Sequence, residues 1–122
     1  MSADVLADFD NLKNKICRLF SVAVPIYPMN HDLTLPVDDV LGCCHRLRDD
    51  NGNLIGHIIT IDEKYITACY YGRNIPHSQY NDDVLAETIC HEIAHLYVWG
   101  HTKEHAELTT ELHNVVRQNL GR

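Results

Sequence analysis

The sequence lacks any apolar run that approaches the roughly 20 residues needed to cross a bilayer, so we expect no membrane association. It begins Met-Ser-Ala-Asp, without the basic and long apolar regions of a secretory signal peptide, which predicts a cytoplasmic protein. It also has no CxxC pair, and its five cysteines are odd in number. This pattern indicates reduced thiols, most of them small buried side chains, rather than a disulfide framework.

A surplus of positive charge is missing as well. The chain has 17 acidic and 10 basic residues, for a net charge of −7. A protein that binds nucleic acid through its own surface normally carries a basic face, so the net negative charge argues against direct DNA binding. There are no repeats or linkers, and 122 residues with 45% apolar content predict one globular domain over residues 1–122.

The most informative feature present is the run His91-Glu92-Ile93-Ala94-His95, which lies inside an apolar helical pattern. Residues four apart share one face of an α-helix, with Cβ atoms about 5–6 Å apart, so His91 and His95 can bind one metal ion. Glu92 lies within reach of a water in an open coordination position, and zinc lowers the pKa of such a water to about 7. The motif therefore predicts a zinc hydrolase with Glu92 as general base.

The third metal ligand stays open between four side chains that come after the motif: His101, His105, Glu107 and Glu111. Gly100 directly precedes His101, and a glycine in the left-handed conformation would end the helix and turn the chain back towards the metal. We therefore favour His101, with His105 as the second choice.

The spacing from His91 to His101 also equals that of the metzincin signature. Two features count against that family. Val98 occupies the place of its glycine, and no methionine comes after Met29, so the later methionine turn is absent.

The apolar periodicity predicts an α+β fold: an N-terminal helix, a small three-stranded antiparallel or mixed sheet, the motif helix and a closing C-terminal helix. The first helix starts after Ser2 and carries a stripe of Val5, Phe9, Leu12, Ile16 and Leu19. Strands at residues 41–48 and 54–61 flank Asn51-Gly52, the strongest hairpin signal in the chain. Residues 65–71 are the third extended piece, with a helical turn as the alternative.

Between the first helix and the hairpin, the prolines predict an extended, loop-like passage from Pro25 through Pro36. The motif helix is expected from Asp82 to about Trp99, capped by Asn81, with a core stripe of Val84, Leu85, Ile89, Ile93 and Tyr97. The last helix is expected at residues 103–120, burying Leu108, Leu112, Val115 and Val116. The remaining histidines are expected to be surface or structural groups: His31, His45, His57, His77 and His113.

Three segments of the chain resemble the SprT-like metallopeptidase family, which includes the Spartan proteases. They are Leu41-Gly42, the alternating run GHIITI at residues 56–61, and TICHEIAHLYVW at residues 88–99. Residues 100–105 (GHTKEH) further resemble the family's "GHGxEF" segment, in which the histidine is the third zinc ligand. The resemblance covers most of residues 1–120, although only residues 84–108 are specific.

This resemblance implies a zincin-like zinc peptidase that acts on proteins or peptides, with Zn²⁺ held by His91, His95 and His101 and with Glu92 catalytic. The chain departs from the family in that Thr102 replaces a glycine and the spacer to the third histidine is short. It also has no C-terminal zinc ribbon and no basic DNA-binding segment. Such a chain is compatible with a stand-alone bacterial or virus-encoded version.

Two alternatives remain. Four histidines (91, 95, 101 and 105) would saturate the metal in a non-catalytic, zinc-stabilised binding module, because structural zinc sites are closed. A DNA-associated protease that contacts DNA through a partner is the other. For the peptidase, we expect residues 54–61 to form an edge strand that holds an extended substrate by strand addition.

Overall fold

The computed structural model describes residues 1–31 and 41–120. These residues form four helices and a three-stranded sheet. The elements in chain order are α1 (Ala3–Leu19), β1 (Ile26–Met29), β2 (Gly42–Arg48), β3 (Leu54–Asp62), α2 (Glu63–Gly72), α3 (Asp82–Ala94) and α4 (Lys103–Asn119). The predicted α+β class is confirmed. Within the described ranges, no helix combines the length and apolar character needed to span a bilayer.

Helix α1 forms as the sequence predicts. The Ser2 hydroxyl accepts a hydrogen bond from the Val5 backbone N–H at 3.2 Å, which satisfies one donor left unpaired at the helix start. Val5, Phe9 and Ile16 are buried in a single core with residues of the sheet and of helices α2, α3 and α4. Burial of this stripe in the shared core supplies most of the helix stability.

The sheet is mixed, in the order β1-β3-β2, with β3 in the centre. The β2–β3 hairpin is confirmed, and Gly52 takes a φ of +83° at its turn, a conformation that favours glycine. One carboxylate oxygen of Asp49 accepts the backbone N–H groups of Asn51 and Asn53, both at 2.9 Å. The turn is therefore stabilised by local hydrogen bonds as well as by its glycine.

The third strand is β1, and the loop-like prediction for Pro25–Pro36 is wrong over Ile26–Met29. This strand runs parallel to β3, with Ile26 opposite Ile59. Pro28 is tolerated there because β1 pairs with only one strand among the described residues, so a missing N–H donor disrupts no second ladder. Residues 32–36 of the predicted passage lie outside the described residues.

The prediction of a strand at residues 65–71 is also wrong, because this segment belongs to helix α2. The Asp62 side chain caps the helix by accepting the Tyr65 N–H at 3.1 Å. Tyr65, Ile66 and Cys69 are buried at a helical spacing. Packing of this face on the core overrides the β-propensity of its aromatic and branched residues.

Helix α3 begins at the predicted Asn81 cap but ends at Ala94, five residues before Trp99. The next backbone N–H groups bond three residues back rather than four, since His95 bonds to Glu92 and Leu96 to Ile93. This tightened turn breaks the helical periodicity, and Tyr97 is therefore 66% exposed instead of lying in the core.

Helix α4 packs on α3 through a more polar face than the sequence predicts. The buried residues are His105, Thr109, His113 and Val116, whereas Val115 is exposed and Leu108 and Leu112 are half-buried. His113 donates from Nε2 to the carbonyl and carboxylate oxygens of Asp83, both at 3.1 Å. Satisfied hydrogen bonds of this kind allow imidazoles to replace aliphatic side chains in the interface.

All five cysteines are free thiols, in agreement with the expectation from their number and spacing. Cys44, Cys69 and Cys90 are buried. Burial raises the pKa of the Cys69 thiol to about 11 and that of Cys90 to about 12, so both stay protonated at neutral pH. They act as small apolar side chains in the core.

Candidate metal centre

Three histidines meet where the chain leaves α3 and enters α4. His91 lies in the last turn of α3, and His95 is the residue that caps its C-terminus. His101 comes after the tightened turn and directly precedes Thr102, which caps α4 by accepting the His105 N–H at 3.3 Å. The capping role predicted for Gly100 is wrong, because its φ is not positive and the helix has already ended.

The nitrogens of His91, His95 and His101 have the spacing that one metal ion requires. One ring nitrogen from each lies within 4.8 Å of the others. The Nε2 atoms of His95 and His101 are 3.2 Å apart. Two imidazole nitrogens that bind zinc tetrahedrally at 2.0–2.1 Å lie about 3.3 Å from each other. The three imidazoles therefore form a group that could hold a single metal ion.

The hydrogen bond made by the second ring nitrogen of His95 directs its Nε2 into the cluster. Nδ1 donates its proton to the Val98 carbonyl at 3.2 Å, which leaves the Nε2 lone pair facing His101. Burial lowers the pKa of His95, and the nearby His105 and His101 rings lower it further. A neutral imidazole is the form that binds a metal, so both effects prepare His95 for that role.

His105, the second choice for the third ligand, has a different position. It is 2% exposed, and its Nε2 donates a proton to the His91 carbonyl at 2.9 Å. Its ring stacks on His95 at a centroid distance of 3.9 Å and meets His91 edge-on at 4.4 Å. His105 thus packs against the two motif histidines, and neither of its ring nitrogens belongs to the group that lies within 4.8 Å.

The carboxylate alternatives lie outside the cluster. Glu107 is exposed and pairs with Lys103 at 3.7 Å. Glu111 is exposed one helical turn further along α4. Neither carboxylate belongs to the group of side chains that could hold a metal ion.

Glu92 belongs to α3, lies against Gly42 of strand β2 and is 2% exposed. Its Oε2 atom is 4.0 Å from the Nε2 atom of His91, which brings the carboxylate beside the histidine cluster. A Cβ atom added to Gly42 would lie 2.9 Å from Oε2 and 3.1 Å from Cγ of Glu92. Gly42 of strand β2 therefore leaves the space that the Glu92 carboxylate occupies. This role of Gly42 is not predicted by the sequence patterns.

The predicted substrate strand is wrong in one respect. Strand β3 lies in the centre of the sheet and is paired on both sides from Ile59 onward, so residues 59–61 cannot accept an added strand. Residues 54–58 pair with β2 alone among the described strands. Strand β2 lies next to Glu92 through Gly42. It pairs with β3 on one side, and no described strand lies on the other.

The remaining histidines take no part in the cluster, as expected. His31 and His45 contact the Thr60 hydroxyl through their Nε2 atoms, at 2.9 and 3.0 Å. His77 is exposed in a loop, and His113 is a buried structural group on Asp83. The structure thus separates structural histidines from the cluster at the end of α3.

Comparison of the chain with protein-family models, with curated proteins and with solved structures gave no match. A function for this chain is therefore inferred from the geometry of the histidine cluster and from the sequence patterns.

Proposed function

We propose that this protein is a zinc-dependent metallopeptidase with a zincin-like, SprT-like catalytic domain. The observation that carries the proposal is the approach of three histidine nitrogens to within 4.8 Å, with a buried carboxylate 4.0 Å from one of them. A metal with three protein ligands and an adjacent acidic group is the arrangement of catalytic zinc sites.

In the proposed reaction, His91, His95 and His101 hold Zn²⁺. When bound, the ion supplies Lewis-acid polarisation of the scissile carbonyl and activation of water. Glu92 accepts the proton of the attacking water at its carboxylate and then passes it to the leaving amine. Gly42 and the other residues packed around Glu92 hold that carboxylate beside His91 and limit its contact with bulk water.

The position of His105 favours this catalytic interpretation over a closed structural site. Four imidazole ligands would require a ring nitrogen of His105 to join those of the other three histidines. Among the described residues, the group within 4.8 Å contains nitrogens of His91, His95 and His101 only, and His105 Nε2 donates to the His91 carbonyl. His101 is exposed, which supports access of a peptide from that side.

The proposed substrates are proteins or peptides, and an intracellular location agrees with the free cysteines. The net charge of −7 does not support contact with DNA through the protein's own surface. Action on DNA-bound proteins would therefore require a partner that supplies this contact.

The test is cleavage of an unfolded protein by zinc-loaded wild type and by Glu92→Gln, with and without single-stranded DNA. We expect both proteins to bind one zinc ion and only the wild type to cleave, while His77→Asn, an exposed-histidine control, stays active. If the zinc-loaded wild type fails to cleave in both conditions, the proposal is wrong and the closed structural site becomes the better account. Stimulation by DNA would instead point to the repair-type protease.

A further inference from the structure

A cationic and aromatic cluster lies beside the metal centre and is not used by the proposed mechanism. The guanidinium carbon of Arg46 lies over the Trp99 ring, 3.8 Å from its centroid, which is a cation–π contact. His57, opposite Arg46 in the β2–β3 register, contacts the same indole at a centroid distance of 6.3 Å. Strands β2 and β3 thus each place one side chain, Arg46 and His57, against Trp99.

This cluster is connected to the proposed site on two sides. Trp99 contacts the ring of His95 at a centroid distance of 5.9 Å. On strand β2, side chains alternate between faces, so Arg46 shares a face with Gly42 and Cys44. Burial raises the pKa of the Cys44 thiol to about 12, with Glu92 raising it and Arg46 lowering it, so both charges act at this thiol.

Arg46 is a cation held in place without a counter-charge. It is exposed, and among the described residues it has no carboxylate partner and no hydrogen bond. The cation–π contact with Trp99 uses no N–H group of the guanidinium as a hydrogen-bond donor, so these groups can bind an anion. A guanidinium fixed in this way loses little conformational entropy when it forms a two-pronged contact with a carboxylate.

The contacts of Trp99 favour a carboxylate over a nucleic-acid base as the ligand. Stacking of a base requires an open aromatic face. Trp99 is 41% exposed, but its ring already carries Arg46 at 3.8 Å and also contacts the imidazoles of His57 and His95, which leaves less of the ring for a base. The surplus of acidic residues in the chain also repels a polyanion more strongly than a single carboxylate.

We propose that Arg46, held on Trp99, forms a specificity subsite that selects an acidic side chain near the scissile bond of the peptide substrate. This inference rests on the proposed peptidase function, because it assigns a substrate preference to that site. Arg46 lies 3.8 Å from the Trp99 ring and that ring lies 5.9 Å from His95, which places the guanidinium no more than about 10 Å from the His95 ring. An extended peptide advances about 3.4 Å per residue, so the acidic residue is expected within about three residues of the bond that is cut.

The experiment first maps cleavage sites in an unfolded protein by mass spectrometry. Peptide pairs that differ only by Asp or Asn are then compared at each position near the cut. We expect a preference for Asp of about tenfold in kcat/KM for wild type, as charge-assisted hydrogen bonds predict, and a ratio near one for Arg46→Gln. Arg48→Gln is the matched control, because it removes the same charge two residues along β2 and should keep the preference.

A second arm separates this inference from the peptidase proposal. Binding is measured with labelled peptides of one unfolded sequence that carry Asp or Asn at each position in turn, chosen without reference to any cleavage site. The zinc-loaded Glu92→Gln protein is used, with and without Arg46→Gln. An Asp preference in binding that depends on Arg46 supports the subsite even if the wild type cleaves nothing.

Three results would overturn the subsite. Cleavage without a preference for Asp would refute the proposed subsite but not the proposed peptidase function. An equal preference in wild type and Arg46→Gln assigns the selectivity elsewhere. Binding of a single-stranded oligonucleotide that is lost in both Arg46→Gln and Trp99→Leu, with no Asp preference, would identify a nucleic-acid site instead.

Discussion

Replacement of Gly42 by alanine tests whether strand β2 positions the proposed catalytic carboxylate. The added Cβ atom would lie 2.9 Å from Oε2 of Glu92, 3.1 Å from Cγ of Glu92 and 3.2 Å from Cδ1 of Ile61. Ordinary contacts of this kind begin near 3.4 Å. The carboxylate must therefore move by about half an ångström, in a region too closely packed to give it much space.

Two effects of different size are expected from this crowding. Overpacking of a buried position costs about 1–3 kcal/mol of folding free energy. A displacement of about 1 Å in a reacting group can reduce the rate about 100-fold, so we expect kcat/KM to fall by roughly 10- to 100-fold. Zinc stoichiometry should not change, because the atoms nearest to the added Cβ belong to Glu92 and Ile61 and not to the three histidines.

The assay compares zinc content, urea unfolding and peptide cleavage for the wild type, Gly42→Ala and a matched control. Gly56→Ala is suitable because its Cβ would meet no atom within 4 Å and because it also lies in the sheet. Equal activity of Gly42→Ala and Gly56→Ala would refute the positioning role of Gly42. So would an activity loss that only accompanies the loss of zinc or of folded protein.

Other perturbations probe the histidines and the α3–α4 contact. His105→Phe keeps a ring but removes the donor to the His91 carbonyl, so zinc affinity in a chelator competition should fall about 10- to 100-fold. His113→Ala removes the hydrogen bonds to Asp83 and should cost about 2 kcal/mol in urea unfolding, with zinc stoichiometry unchanged. The Arg117 guanidinium, more than His113, lowers the pKa of Asp83 below its usual value. The pair therefore stabilises the fold above the unfolded pKa of about 3.9 and loses this contribution as pH falls further, so Arg117→Gln should weaken the protein at pH 7 and flatten its acid dependence.

Features set by neighbouring residues could be predicted from the sequence. Ser2 and Asn81 cap helices as their side chains predict, and Asn51-Gly52 forms the hairpin turn. The i, i+4 spacing of His91 and His95 places both rings on one side of the helix end, with centroids 5.0 Å apart. Each of these patterns acts within a few residues, so no knowledge of the tertiary structure is needed.

Features set by distant contacts could not be predicted in this way. Strand β1 depends on pairing Ile26 with Ile59, which are far apart in the sequence. The proximity of Gly42 to Glu92 likewise arises only when β2 packs against α3. The start of helix α2 was missed for a different reason. The Asp62 cap is a local signal, but the β-propensity of the residues after it indicated a strand.

The face of α4 shows why polar residues mislead a prediction of burial. His105 and Thr109 are buried although the apolar pattern favoured Leu108. His105 donates to the His91 carbonyl, and the Thr109 hydroxyl donates to the His105 carbonyl at 2.9 Å. The partner of His105 lies in α3 and is provided only by the tertiary structure, whereas the partner of Thr109 lies one turn back in α4 itself. Without these partners, burial of the same groups would be costly.

Zinc K-edge absorption of the loaded protein measures whether His91, His95 and His101 hold one zinc ion and leave a coordination position open for chemistry. The wild type is compared with His101→Ala. We expect three imidazole ligands and at least one oxygen ligand in the wild type, and weaker zinc binding in His101→Ala. Four imidazole ligands in the wild type would show a closed site, and a spectrum and zinc affinity that do not change in His101→Ala would show that His101 is not a ligand.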